Sequence, residues 1–240
     1  MDAHTGPLLL LVQMNVAPEQ EDALNSWYYH HVPKLLEIPG WLWGRRYRAV
    51  EGDVKYLALY AVSDMDAMAK VMAADNALKD PRAIDERARF DAVPGKTDMR
   101  SNVYRQLSGA HLGAPFLKDD RHLSVVMADV ADPAKEAEWN AWYDHSHVPN
   151  LVQIPGYLSG ARFRVERDPR FGEKPMGPKY LALYEWEGPH CLSTLGDPEA
   201  MRPEAKAELA RWNAYGAPLA ANMAWNVYEP IASWTAFRHA

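Results

Sequence analysis

Five short blocks occur twice in this chain, in the same order, and that duplication restricts the fold more than any other feature. LNSWY (Leu24–Tyr28) matches WNAWY (Trp139–Tyr143), an offset of 139 − 24 = 115. His31-Val32-Pro33 matches His147-Val148-Pro149 at 147 − 31 = 116, so the first copy lacks one residue between its tyrosine and its histidine. IPGWLWGRRYR (Ile38–Arg48) matches IPGYLSGARFR (Ile154–Arg164) at the same offset. KYLALY is identical at Lys55–Tyr60 and Lys179–Tyr184, an offset of 124. The jump of 124 − 116 = 8 places an insertion in the second copy, around RDPRFGEKPMGPK. NVY closes the series at Asn102–Tyr104 and Asn226–Tyr228. A chain built this way folds as two copies of one unit.

Each copy reads as the same run of elements. Leu8–Val16 and Leu123–Val130 are apolar runs too short for helices and rich in branched residues, so they are expected as strands. Ala17-Pro18 and Asp132-Pro133 suit helix starts, since proline fits the first helical position and Asp132 can cap. Trp139, Trp142 and Tyr143 then form one apolar stripe. That helix is expected to end near Val148, because the residue before Pro149 is pushed out of the α region. Two strands follow, Trp41–Val50 and KYLALY in the first copy, Tyr157–Glu166 and KYLALY in the second. A helical stretch (Met65–Leu78 with Arg82–Phe90; Pro203–Tyr215) and the NVY strand complete each half. The order β-α-β-β-α-β is the ferredoxin-like unit. The expected organisation is a half-barrel at 1–107, a linker at 108–120 and a second half-barrel at 121–240, the bare sheet faces burying each other. The fold class is α+β.

Composition narrows the function. A net charge of −6 argues against nucleic acid or an anionic membrane as partner. No apolar run approaches the roughly 20 residues that span a bilayer, and LLLLV (Leu8–Val12) lacks the basic flank and cleavage site of a signal peptide. The single cysteine, Cys191, excludes an internal disulfide and fits a cytoplasmic location; its neighbour His190 makes a weak case for a Cys/His nucleophile. Nine tryptophans and twelve tyrosines suit a core or a pocket for a small, flat aromatic substrate.

The W-Y-x-x-x-H-V-P…I-P-G pattern of Trp142–Gly156, followed by a strand and KYLALY, resembles the dimeric α/β-barrel superfamily and, within it, the ethyl-tert-butyl-ether-degradation (EthD-like) group. The resemblance covers nearly the whole chain as two fused units. It implies an intrachain dimeric barrel, a small-molecule pocket between sheet and helices, and pairing into a homodimer as an option. The superfamily hosts decarboxylases, cyclases, isomerases, cofactor-free monooxygenases and haem enzymes, so it does not choose a reaction. The first copy departs from the pattern by its missing residue, which leaves the orientation of His31 open.

His147, at the expected helix end, is the candidate general acid or base, its pKa expected to be raised by the helix dipole. His31 is its counterpart. Either can instead cap carbonyls. Strand parity puts L-x-G-x-R-x-R on one face in both copies, so Arg46 and Arg162 are candidates to hold a substrate carboxylate. Tyr143 and Tyr228 are expected to orient a phenol. Trp142, Tyr104, Asp129 and His145 are further pocket candidates. A metal held by Asp144, His145 and His147 is a minor alternative, because the spacing matches no standard pattern. No phosphate loop, dinucleotide fingerprint, G-x-S-x-G elbow or Cys cluster is present, so no cofactor or metal is expected. The leading expectation is a cofactor-independent enzyme acting on an aromatic or polyketide-like acid, a decarboxylase-type lyase. The alternatives are a cofactor-free monooxygenase or an isomerase/cyclase of a phenolic substrate, and a ligand-binding accessory protein. The WYDHSHVP half is expected to carry the better-kept site.

Overall fold

The computed structural model describes residues 6–110, 116–118, 120–172, 177–195 and 197–236. The first half contains β1 (Leu8–Val16), α1 (Glu21–Leu36), β2 (Trp41–Glu51), β3 (Tyr56–Val62), α2 (Met65–Met72), α3 (Pro81–Asp91) and β4 (Lys96–Gly109). The second contains β5 (His122–Val130), α4 (Glu136–Trp142), α5 (Val148–Leu151), β6 (Tyr157–Val165), β7 (Tyr180–Trp186), α6 (Leu192–Leu195), α7 (Pro203–Arg211), α8 (Ala217–Leu219) and β8 (Ala220–Thr235). The strands form one closed barrel in the order β1-β3-β2-β8-β5-β7-β6-β4, and every pairing is antiparallel. Two seams join the halves, β2 against β8 and β4 against β6. Closure leaves neither half-sheet with an unpaired edge.

The barrel explains why β1 and β3 read as unbroken apolar runs, since both of their faces are covered. Leu9 and Leu11 point into a barrel interior shared with Leu59, Val125, Phe163 and Leu183. Leu8 and Leu10 point outward, under the helices of the first half. A separate outer cluster around Trp139, Tyr143 and Ile154 lies under the helices of the second.

The helices do not stop at their Val–Pro steps. α1 runs unbroken through Pro33 to Leu36. In the second half α4 passes into a π turn, Tyr143–His147, and then into α5, which includes Pro149. An interior proline costs about 3 kcal/mol. Burial of Val32 and Leu35, or of Val148 and Leu151, in the turn that carries it contributes roughly 1.5–3 kcal/mol per side chain, enough to hold that turn in place. The π turn also accounts for the offset change from 115 to 116. It takes up one residue more than an α turn, so the extra residue of the second copy is absorbed locally and His147 reaches the position of His31.

The insertion in the second copy crosses to the first half. A 3-10 turn at Pro169–Phe171 places Arg170 against Asp66 of α2 at 2.7 Å, and Ala74 donates its backbone N–H to the Arg170 carbonyl. Phe171 is buried in the first half's outer core.

Candidate active site: twin cavities between helix and barrel

Each half encloses a cavity between its helices and the outer face of its sheet. A glycine permits the close approach. A Cβ on Gly44 of β2 would meet Val32 Cγ1 at 2.6 Å, and one on Gly160 of β6 would meet Val148 Cγ1 at 3.0 Å and Tyr184 Cδ1 at 2.9 Å. The helix bearing the H-V-P triplet therefore lies directly on the sheet, and its histidine turns inward. His31 lines a cavity of about 280 Å³ with Trp27, Tyr28, Trp41, Tyr60 and Phe90. His147 lines one of about 250 Å³ with Ser124, Tyr143, Tyr184, Trp212 and Trp225.

Each histidine is tied to a buried glutamate. His31 Nδ1 lies 3.2 Å from Glu86 Oε2, and His147 Nδ1 lies 3.2 Å from Glu208 Oε1, the geometry of an N–H donating to a carboxylate. That arrangement fixes the tautomer and leaves Nε2 as an acceptor. Neither Nε2 has a protein partner among the described residues, and neither is sealed from its cavity. The expectation of a raised pKa is reversed. The helix continues past His147, so no terminal dipole acts there. Burial pushes His147 down to about 4, with Glu208 partly opposing, and His31 down to about 3. Both rings are neutral at pH 7. Aromatic faces enclose them: Trp27 stacks on His31 at 3.9 Å and Trp212 on His147 at 5.2 Å.

Glu208 also accepts from Trp142 Nε1 (3.0 Å), Ser146 Oγ (2.7 Å) and Asn150 Nδ2 (3.3 Å). Burial alone would raise its pKa, but the bonds from Ser146, Asn150 and His147 outweigh that and leave it lowered. The two glutamates were not among the sequence candidates. The signal was present: Pro81-x-Ala83-x-x-Glu86-x-Ala88-Arg89 and Pro203-x-Ala205-x-x-Glu208-x-Ala210-Arg211 form a further repeated block, at an offset of 122. In α3 and α7 this spacing buries the alanine in the outer core of its half and sets the glutamate beside the histidine.

The other candidates disperse. Tyr143 lines the second cavity, its hydroxyl 3.4 Å from that of Tyr184, and burial raises its pKa. Tyr228 and Tyr104 lie inside the barrel, away from both cavities. Tyr228 accepts from Gln13 Nε2 and donates to the Val54 carbonyl, and Tyr104 donates to the Pro178 carbonyl. Parity explains this: they point inward from strands whose outer faces meet the helices. Arg46 and Arg162, each 1% exposed, are on the helix side as expected but line neither of the two cavities. Arg162 donates to Asp144 Oδ1 and Asn140 Oδ1, both at 2.8 Å, and lies 4.2 Å from the Tyr143 ring. Arg46 donates to Asn25 Oδ1 and lies 3.9 Å from the Tyr28 ring. Trp142 acts on Glu208. Asp129 accepts from the Lys179 backbone N–H and from Asn222 at a strand end. His145 is exposed. Asp144, His145 and His147 thus point to three different places, and no group of three such side chains converges among the described residues.

Family models and curated proteins give no sequence match to this chain. Solved structures do match in shape. An anthrone oxidase-like protein superposes with a TM-score of 0.68 at 16% identity, covering 100% of this chain and 98% of the other. A candidate monooxygenase from Fusobacterium nucleatum gives 0.64 at 12% identity, over 97% and 95%. Another from Lactobacillus acidophilus gives 0.57 at 10% identity, over 96% and 96%. The chain has the dimeric α/β-barrel fold. The expected decarboxylase-type lyase does not stand: these neighbours are named for oxidation and oxygenation, and the arginines expected to hold a carboxylate line neither cavity. No helix among the described residues is long and apolar enough to cross a membrane.

Proposed function

We propose that this chain is a cofactor-free oxygenase of a fused-ring phenolic substrate of the anthrone type, with a base in each half. The observation that carries the reading is the neutral histidine, anchored by a buried glutamate and facing an aromatic-lined cavity, in both copies. The cavities, about 280 and 250 Å³, suit a flat ring system. Nε2 removes a proton from the acidic ring CH₂, and the glutamate stabilises the imidazolium that forms. The resulting carbanion is delocalised over the fused rings and is electron-rich enough to reduce dioxygen itself. One electron passes to dioxygen, the radical pair couples to a carbon-bound peroxide, and the imidazolium returns its proton. Loss of water with the second C–H proton leaves a ketone. The CH₂ carbon supplies the electrons, one dioxygen is consumed, and one oxygen atom leaves as water. The surrounding rings keep bulk water from quenching the carbanion.

Oxygen consumption with anthrone, corrected for the background rate in buffer, tests this in the presence of a chelator. One dioxygen per ketone formed is expected. His31→Ala with His147→Ala is expected to lower the rate by roughly 100-fold or more. A folded double variant with undiminished uptake, or uptake that needs added metal or flavin, overturns the reading.

A further inference from the structure

The two cavities share a base but not a rim. Ser101 of β4 pairs with Val12, and Trp225 of β8 pairs with Val126. Those valines are equivalent and each lines its own cavity, so Ser101 and Trp225 occupy the same place. Just before them, Asp98 and Asn222 both adopt positive φ (53° and 50°) and deliver an exposed methionine to each rim, Met99 at 48% and Met223 at 51%. The rims then diverge. Around the first cavity stand Lys79 and Arg87. Arg87 is engaged by Asp91 at 2.9 Å. The Lys79 ammonium donates only to the neutral Asn76 Oδ1, at 2.9 Å, and has no carboxylate within ion-pair distance among the described residues. Around the second cavity no lysine or arginine is present among the described residues, and Trp225, 36% exposed, stands at the rim instead.

We infer that the two cavities select ligands of different charge: the first binds a flat aromatic anion whose charged head meets Lys79, and the second binds an uncharged aromatic. This rests on the reading of both cavities as ligand sites. An ammonium facing no acid at the rim of an apolar hollow favours a ligand with an apolar body and an anionic end. Glu86 does not cancel it, since it is turned to His31 and is buried.

The test uses the intact protein, with 2-naphthoate as the anionic probe and 2-naphthol as its uncharged analogue at neutral pH, both followed by tryptophan fluorescence and calorimetry. Lys79→Met is expected to weaken naphthoate about tenfold and to leave naphthol within twofold. Added salt should weaken naphthoate alone. Ser101→Trp, which gives the first cavity the second's residue, should abolish naphthoate binding and leave one naphthol site. Equal effects of Lys79→Met on both probes, no effect on either, or naphthoate binding that survives Ser101→Trp overturns the inference. So does failure of naphthoate to bind at all. Anthrone oxidation that continues while charge selectivity is absent sinks this inference alone; oxygen uptake undiminished in the folded His31→Ala/His147→Ala double variant sinks the functional reading instead.

Discussion

The two halves hold the same histidine–glutamate pair in differently finished surroundings. In the second half Asp144 neutralises Arg162, and Trp142 donates its indole N–H to Glu208. In the first, Arg46 keeps two buried N–H groups, on Nε and Nη2, without partners among the described residues, and the indole N–H of Trp27 is likewise buried with no partner among them. Asp144 stands in the π turn that the first half lacks. What both halves keep is the Gly–Val contact, the base and its anchor. What differs is the polar network behind them. The machinery common to both copies is therefore narrower than either site inspected alone would suggest: Asp144 stands at offset 115 where the first copy has Tyr29, so the counter-ion is a substitution, while the π turn keeps the histidine in place.

Deleting one residue from each helix breaks this comparison most sharply. His30 and His145 are both exposed. Removing His30 from the regular α1 turns everything after it by about 100°, withdraws His31 from Glu86 and exposes Val32 and Leu35; a loss above about 4 kcal/mol is expected. Removing His145 leaves Asp144 and Ser146 in place and lets the π turn relax to an α turn. Here a loss of about 1 kcal/mol is expected, with anthrone oxidation retained. Urea unfolding of both deletions checks this. Equal losses would show that the π turn does not hold the extra residue.

Much of this architecture was legible from the repeats, because duplicated blocks in a fixed order report a shared topology whatever each propensity says. IPG, KYLALY and NVY marked real strands and turns. The Val–Pro steps misled, because a local preference of a few kcal/mol loses to burial of the turn on both sides of it. Offsets located the extra residue, yet only the backbone revealed that a π turn absorbs it. Tyr104 and Tyr228 were misplaced for want of a reference face: alternation says which residues share a side, not which side meets the helices. Glu86 and Glu208 went unnoticed because glutamates on a helix usually face water, and their repeated P-x-A-x-x-E-x-A-R setting carries no aromatic marker.

The arginines sharpen the comparison at a smaller scale. Arg162→Met leaves the half-buried Asp144 with Ser108 Oγ, at 2.6 Å, as its one side-chain donor among the described residues; a loss of about 2–3 kcal/mol is expected, below the roughly 3–5 kcal/mol of a fully buried pair because water reaches the carboxylate. Arg46→Met removes a buried cation that faces no acid among the described residues, at the cost of its hydrogen bond to Asn25 Oδ1 and its contact with the Tyr28 ring. A change within about 1 kcal/mol is expected. Thermal and denaturant melts of the two variants decide it. A large loss for Arg46→Met would mean that the aromatic contacts, and not ion pairing, hold both arginines.

Acid should erase part of the stability of both halves, over windows that end at different pH. An unfolded histidine takes a proton near pH 6.5, whereas folded His147 resists until about pH 4 and His31 until about pH 3. Between pH 6.5 and those values the unfolded chain binds more protons, so stability falls as pH falls. At pH 4.5 each histidine is expected to remove roughly 2–3 kcal/mol relative to pH 7. The loss from His147 levels off below about pH 4, where the folded ring is protonated too, while that from His31 continues for about another unit. Urea unfolding of His31→Gln and His147→Gln at pH 7, 4.5 and 3.5 isolates each share, since carboxylate titration is common to all three proteins. Each variant should lose less on acidification than the parent, and between pH 4.5 and 3.5 the gap should widen about twice as much for His31→Gln as for His147→Gln. Identical pH slopes in variant and parent would mean that the ring titrates in the folded protein as it does in the unfolded chain, and the argument that burial holds it neutral would fall.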